Sequence, residues 1–91
     1  MSQINICRPH QRTVAEVRDA VEQLAQSMSS QFHVACAWQG DTLQFSRSGV
    51  DGQIHIEQDQ VRVEARLGLL MSAFTPLVES EITRHLDEKL A

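Results

Sequence analysis

Hydrophobic and polar residues alternate from Trp38 to Gly68, and turn-forming residues interrupt this alternation three times. Alternation with a period of two is typical of strands that bury one face. The pattern extends upstream to Phe32, and a short run around Ile4 and Ile6 repeats it. The sequence therefore predicts five strands, whose core-facing positions are Ile4 and Ile6; Phe32, Val34, Cys36 and Trp38; Leu43 and Phe45; Ile54 and Ile56; Val61, Val63, Ala65 and Leu67.

The predicted turns set how neighbouring strands pair. Gly40-Asp41 suits a two-residue hairpin turn, because glycine accepts the positive φ that such a turn needs. A turn of that length places Trp38 opposite Leu43. We expect a longer glycine-flanked loop at 48–52 and a turn at 58–60.

Two segments have the period of a helix rather than that of a strand. The first follows Thr13, which can form a capping box with Glu16, and we expect it to end within 27–31. The second carries an apolar residue at every fourth position, and Pro76 is compatible with a helix that begins in the preceding turn. The apolar positions are Val14, Val17, Val21, Leu24, Ala25 and Met28 in the first helix, and Leu70, Phe74, Val78, Ile82, Leu86 and Leu90 in the second.

The strand positions in the opposite phase are polar or charged in the third, fourth and fifth strands. One sheet face is therefore solvated, and both helices must cover the other face. We predict an α+β two-layer sandwich of order β-α-β-β-β-β-α, with an antiparallel sheet, in a single domain spanning 1–91. The order of elements is similar to a small helix-grip architecture, in which a sheet wraps a C-terminal helix.

Composition is typical of a folded globular chain. The 91 residues are 42% hydrophobic and 22% charged, and one small core is all that such a length supports. The longest apolar stretch, 67–78, is shorter than the roughly 20 residues of a membrane span. The polar N-terminal residues do not resemble a signal peptide. We therefore expect a cytoplasmic protein in which Cys7 and Cys36 stay reduced.

Charge and side-chain chemistry limit the function classes. Twelve acidic and eight basic residues give a formal net charge of −4, and without a basic stripe nucleic acid is not expected as a partner. His85 shares a helical face with Glu81 and Glu88, but the other histidines belong to separate elements. The polar sheet face is expected to hold salt bridges rather than a water-excluding cleft. We expect no metal, no cofactor and no catalytic activity.

The segment 67–78 is apolar on nearly all sides if it is helical, which exceeds what one sheet contact requires. Its residues outside the apolar ridge form a candidate interaction surface, namely Leu69, Met71, Ala73 and Leu77. Such a surface could meet a partner subunit, an apolar ligand or a hydrophobic inclusion. The alternative is internal packing, with Leu67 and Leu69 ending the last strand and Met71 filling a gap at the turn.

Four short patterns occur together and in order along nearly the whole chain. They are W-x-G-D-T-L-x-F at 38–45, G-V-x-G-x-I at 49–54, V-x-V-E-A-x-L-G at 61–68 and I-x-R-H-L-D-E at 82–88. In these patterns the chain resembles the polyhydroxyalkanoic acid system family, small proteins encoded beside genes for storage-polyester synthesis and use. The resemblance implies a granule-associated or regulatory role, and it supplies no catalytic or binding residues.

The sequence and the resemblance together favour a non-enzymatic accessory protein of the bacterial polyhydroxyalkanoate granule. Its expected partners are the granule surface or granule proteins. The alternative is a small module that binds an acyl or other apolar ligand between the sheet and the C-terminal helix. A weak homodimer is also expected, because the first or second strand can leave an open sheet edge and the excess apolar surface of the last helix offers another contact.

Overall fold

The computed structural model describes residues 2–90, and its elements follow the predicted order. They are β1 (Ser2–Pro9), α1 (Val14–Phe32), β2 (Ala35–Gln39), β3 (Thr42–Arg47), β4 (Val50–Ile56), β5 (Gln60–Leu67), a short 3-10 turn (Ser72–Phe74) and α2 (Thr75–Leu90). The strands form one sheet in the order β1-β5-β4-β3-β2, and every neighbouring pair is antiparallel. The predicted antiparallel α+β fold is confirmed, and β1 and β2 are the sheet edges.

Both helices lie on the face of the sheet that carries its apolar side chains. The strands bury alternate residues, as in β5, where Val61, Val63, Ala65 and Leu67 are buried and the residues between them are exposed. Val17, Val21, Leu24 and Met28 of α1 and Val78, Ile82, Leu86 and Leu90 of α2 are buried against them. Burying each large side chain contributes about 1.5 to 3 kcal/mol, so this layer dominates the stability of the fold.

The start of α1 agrees with the prediction, and its end does not. The Thr13 hydroxyl accepts the Glu16 N–H at 3.2 Å while the Glu16 carboxylate accepts the Thr13 N–H at 3.2 Å. These bonds with Thr13 lower the pKa of Glu16. The helix continues to Phe32 and ends at His33 in the left-handed conformation, with φ 58°. The predicted end within 27–31 is wrong, and Phe32 meets the core from the helix.

The first hairpin is confirmed, and the second is tighter than expected. Gly40 takes φ 60° in the β2–β3 turn, and Trp38 pairs with Leu43. The expected loop at 48–52 is wrong, because Arg47 already pairs with Val50 across a two-residue turn.

Candidate interaction surface

The chain leaves the sheet after the buried Leu67 and turns through 68–74 before α2 begins. The Gly68 N–H donates to the Gly49 carbonyl at 2.7 Å, which fixes the exit from β5 to the β3–β4 turn. The Met71 N–H then donates to Gly68 and the Phe74 N–H donates to Met71, each at 3.0 Å. These consecutive bonds form a hydrogen-bonded connection that turns its leucines away from the sheet.

Large apolar side chains are exposed along this connection. The exposed fractions are 79% for Leu69, 92% for Leu70, 42% for Phe74 and 59% for Leu77. Ala73 is exposed as well. We call these five residues, Leu69, Leu70, Ala73, Phe74 and Leu77, the apolar surface. Such a concentration within nine positions is unusual, because a small protein uses most of its large apolar residues internally.

Met71 lies apart from the apolar surface. Its side chain is half-buried and packs against the core. Its Cγ lies 2.9 Å from the place that a Cβ on Gly49 would occupy, so the thioether chain covers the β3–β4 turn. Of the predicted interaction residues, Leu69, Ala73 and Leu77 are exposed. The alternative interpretation is confirmed for Met71, which packs inward, and it is wrong for Leu69, because β5 ends at Leu67.

Leu70 and Phe74 were expected on the buried ridge of the last helix, and the structure places both of them outside it. The helix begins at Thr75, with Pro76 as its second residue, so the spacing of four is helical only from Val78 onward. Proline suits this first turn because it lacks the N–H that has no partner there. Pro76 is the signal that would have placed Leu70 and Phe74 outside the helix.

Polar contacts fix α2 against α1 and so hold the apolar surface in place. The Glu81 carboxylate accepts the Ser27 hydroxyl at 2.8 Å, and Arg84 and His85 contact the same oxygen at 2.8 and 3.0 Å. The hydrogen bond from Arg84, supported by that from Ser27, holds the pKa of Glu81 below its usual value. An ionised Glu81 therefore joins the two helices near the middle of α2.

The solvated sheet face carries paired charges, as predicted. Arg62 donates to Glu57, and hydrogen bonds from Gln60 and Arg62 lower the pKa of the Glu57 carboxyl. His55 lies 3.2 Å from the Thr42 hydroxyl and 3.8 Å from Glu64. These contacts pair Glu57 with Arg62 and bring His55 close to Glu64, so the four side chains interact with one another.

The histidines lie in four different environments. His10 is buried, His33 caps α1, His55 lies on the sheet and His85 bonds to Glu81. Within residues 2–90, no group of three or more His, Cys, Asp or Glu side chains is placed to hold a metal ion. Neither α1 nor α2 is both long enough and apolar enough to cross a membrane.

The fold and the apolar surface define a small α+β protein that presents exposed leucines between its last strand and its last helix. A family model described as "Putative polyhydroxyalkanoic acid system protein" matches residues 4–90. The chain belongs to this family, which confirms the resemblance found in the sequence patterns. No curated protein and no solved structure matches the chain.

Proposed function

We propose that this protein is a non-enzymatic accessory protein of the polyhydroxyalkanoate system and that it attaches to the storage granule through the apolar surface. Membership of the family supports the polyester context. The exposure of Leu69, Leu70 and Leu77 is the observation that supports the proposal most strongly, because these side chains provide apolar area that is not buried in the core.

The chemistry of the segment suits a neutral, water-insoluble polymer. No charged residue occurs between Arg66 and Glu79. Placing this segment against a polyester therefore removes no ionised group from water, a step that would be costly. In this proposal the apolar surface contacts the polymer directly. The alternative is indirect attachment, in which the apolar surface binds a protein of the granule.

The size of the apolar surface suits reversible attachment. Burial of the area now exposed on Leu69, Leu70, Phe74 and Leu77 would contribute about 4 to 8 kcal/mol. Association itself costs an estimated 4 kcal/mol or more in lost freedom of motion. A single copy is therefore expected to exchange between granule and solution.

Packing between the layers does not favour the alternative role as a carrier of an apolar ligand. Phe45, Ile54, Ile82 and Leu86 are fully buried there and belong to one core cluster. A bound acyl chain would have to displace side chains that already contact one another.

The contacts of the titratable side chains support a role without catalysis. Glu57 is bonded to Arg62 and Glu81 is bonded to Ser27 and Arg84, so both carboxylates act in structural contacts. The Ser27 hydroxyl donates to a carboxylate rather than to a histidine, which is unlike an activated nucleophile.

Binding to protein-free polyhydroxyalkanoate particles tests direct attachment. Purified protein is mixed with particles, which are pelleted, and the bound fraction is measured across polymer concentrations. We expect the double variant Leu70→Glu/Leu77→Glu to bind at least about tenfold more weakly, because it places two charges at the contact.

The matched control is Ser80→Glu/Thr83→Glu, which adds the same charge at exposed positions of α2. It should bind as the unchanged protein does, and circular dichroism checks that both variants are folded. Failure of the unchanged protein to pellet, or equal loss of binding in both variants, would show that the apolar surface does not attach to the polymer.

A further inference from the structure

The β2 edge of the sheet lacks the features that usually prevent strands from pairing between molecules. Natural edge strands carry charges, prolines or bulges. The five residues of β2, Ala35–Gln39, include neither a charge nor a proline. The β1 edge differs, because it ends in Arg8-Pro9 and Arg8 forms an ion pair with Asp87 of α2.

The hairpin geometry determines which backbone groups face outward from β2. In a two-residue hairpin the closing pair, here Gln39 and Thr42, exchanges hydrogen bonds. Alternate residues then point the other way, so Cys36 and Trp38 direct their N–H and C=O groups away from β3. The N–H and C=O groups of Cys36 and Trp38 thus point outward along this edge, at the spacing needed to pair with another strand.

We propose that two copies of the chain associate through β2, in an antiparallel pair whose two-fold axis passes beside Ala37. In this register Cys36 of each copy lies opposite Trp38 of the second copy. The two pairs satisfy all four outward groups of each strand with four hydrogen bonds. The five-stranded sheet becomes a continuous sheet of ten strands.

The side chain at the two-fold axis fits this register. Ala37 would face Ala37 of the second copy as a non-hydrogen-bonded pair, where Cα atoms approach to about 4.5 Å and side chains are closest. Ala37 is exposed and small, and its exposed neighbour on the same face is Ala35. Neither methyl group obstructs a second strand.

The two ends of β2 also carry complementary charge. Near the hairpin end lie Arg18, Glu22 and Asp41, which together have a charge of −1. At the other end lies Arg47, which has a charge of +1 and donates to the Phe32 carbonyl. The antiparallel register places the hairpin end of β2 in each copy beside the Ala35 end of β2 in the second copy, so ends of opposite charge meet.

The contact is small, and a weak dimer is expected. One strand pair buries less than the roughly 1,200 Å² of a stable interface. We therefore expect a dissociation constant of roughly micromolar to millimolar size. This association is independent of granule attachment, because β2 shares no residue with the apolar surface.

Site-specific crosslinking tests the proposed register. In a Cys7→Ser/Cys36→Ala background, Ala37→Cys should give a covalent dimer on mild oxidation, because the two Cβ atoms meet at the axis. The control Ala35→Cys lies on the same exposed face, but its two copies would be about 13 Å apart. Equal crosslinking of the two variants would overturn the register.

Light scattering over a range of concentrations tests the association itself. Ala37→Lys should remain monomeric, because two ammonium groups would face each other across the axis, and its circular dichroism spectrum should match that of the unchanged protein. Gln23→Lys, an exposed substitution on α1, should still dimerise. An unchanged protein that stays monomeric at about 1 mM, or an Ala37→Lys variant that dimerises equally well, would overturn the proposal.

Discussion

The aromatic ring of Phe45 lies directly over Gly52 on the neighbouring strand. The two residues are paired in the β3–β4 ladder, and a Cβ on residue 52 would overlap three atoms of the ring. Phe45 is 1% exposed and packs within the hydrophobic core. Glycine at this position therefore makes room for the largest fully buried side chain in the described part of the chain.

Gly52→Ala is expected to destabilise the protein by about 1 to 3 kcal/mol, because the added methyl group would overlap the buried ring of Phe45. Urea unfolding measures this change. Gln53→Ala, on the solvated face of the same strand, should alter the free energy of unfolding by less than about 0.5 kcal/mol. Gly52→Ala should lower the free energy of unfolding less when Phe45 is replaced by leucine than it does in the unchanged protein. An equal loss in both backgrounds would refute the steric explanation.

Glu81→Gln should reduce the sensitivity of the protein to acid. Arg84 and Ser27 hold the pKa of Glu81 below 4.5, so this carboxylate stabilises the fold above that pH. The contribution is lost as the pH falls from 4.5 through the lower folded-state pKa. Residual acid sensitivity will remain, because the pKa values of Glu16 and Glu57 are lowered as well.

Unfolding curves at several pH values above and below 4.5 measure this effect. At neutral pH the charge-assisted bonds of Glu81 contribute about 1 to 3 kcal/mol, so the Glu81→Gln variant should be less stable than the unchanged protein. On acidification the variant should lose less stability than the unchanged protein does. Glu79→Gln, at an exposed position of the same helix, is the control. Equal acid sensitivity in the Glu81→Gln variant and the unchanged protein would show that ionised Glu81 does not contribute to the pH dependence of stability.

Arg18→Ala should loosen the contact between α1 and the sheet edge at Trp38. The Arg18 guanidinium lies 4.0 Å from the centre of the Trp38 ring and donates to the Gly40 carbonyl at 2.6 Å. We expect a loss of about 1 kcal/mol and a red shift of tryptophan emission, because the ring becomes more exposed to water. Trp38 is the single tryptophan, so fluorescence reports this site alone. Unchanged emission would show that the contact does not order the ring.

His10→Ala should be more damaging than substitutions of neighbouring loop residues. Nδ1 of His10 accepts the Arg12 N–H at 3.1 Å, so Nε2 carries the proton and donates to the Glu57 carbonyl at 3.0 Å. These bonds join the β1–α1 connection to the β4–β5 turn. We expect a loss of about 2 to 3 kcal/mol in thermal unfolding. The exposed Gln11→Ala is the control, and a similar effect of both changes would disprove this role.

The sequence predicts the hairpin and the helix cap because each depends on neighbouring residues alone. Gly40 supplies its turn conformation, and Thr13 and Glu16 satisfy each other within one helical turn. The position of Phe32 depends on more distant contacts. Phe32 fits a period of two with Val34 and a spacing of four from Met28, and only packing against the core decides in favour of the helix.

The apolar surface could be predicted only in part, for a similar reason. The excess of apolar residues in 67–78 is visible in the sequence, but a spacing of four does not reveal where a helix begins. Leu70 and Phe74 continue the spacing of the buried ridge, yet they precede the first turn of α2 and remain exposed. Met71 packs inward because the β3–β4 turn approaches it in space.

Granule co-sedimentation from polymer-accumulating cells tests the proposed role most directly. Tagged protein, the Leu70→Glu/Leu77→Glu variant and the Ser80→Glu/Thr83→Glu control are produced at equal levels, and their fractions on washed granules are compared. We predict that the unchanged protein and the control pellet with the granules while the leucine variant stays in the supernatant. An unchanged protein that remains wholly soluble, while granule coat proteins pellet, would contradict granule attachment.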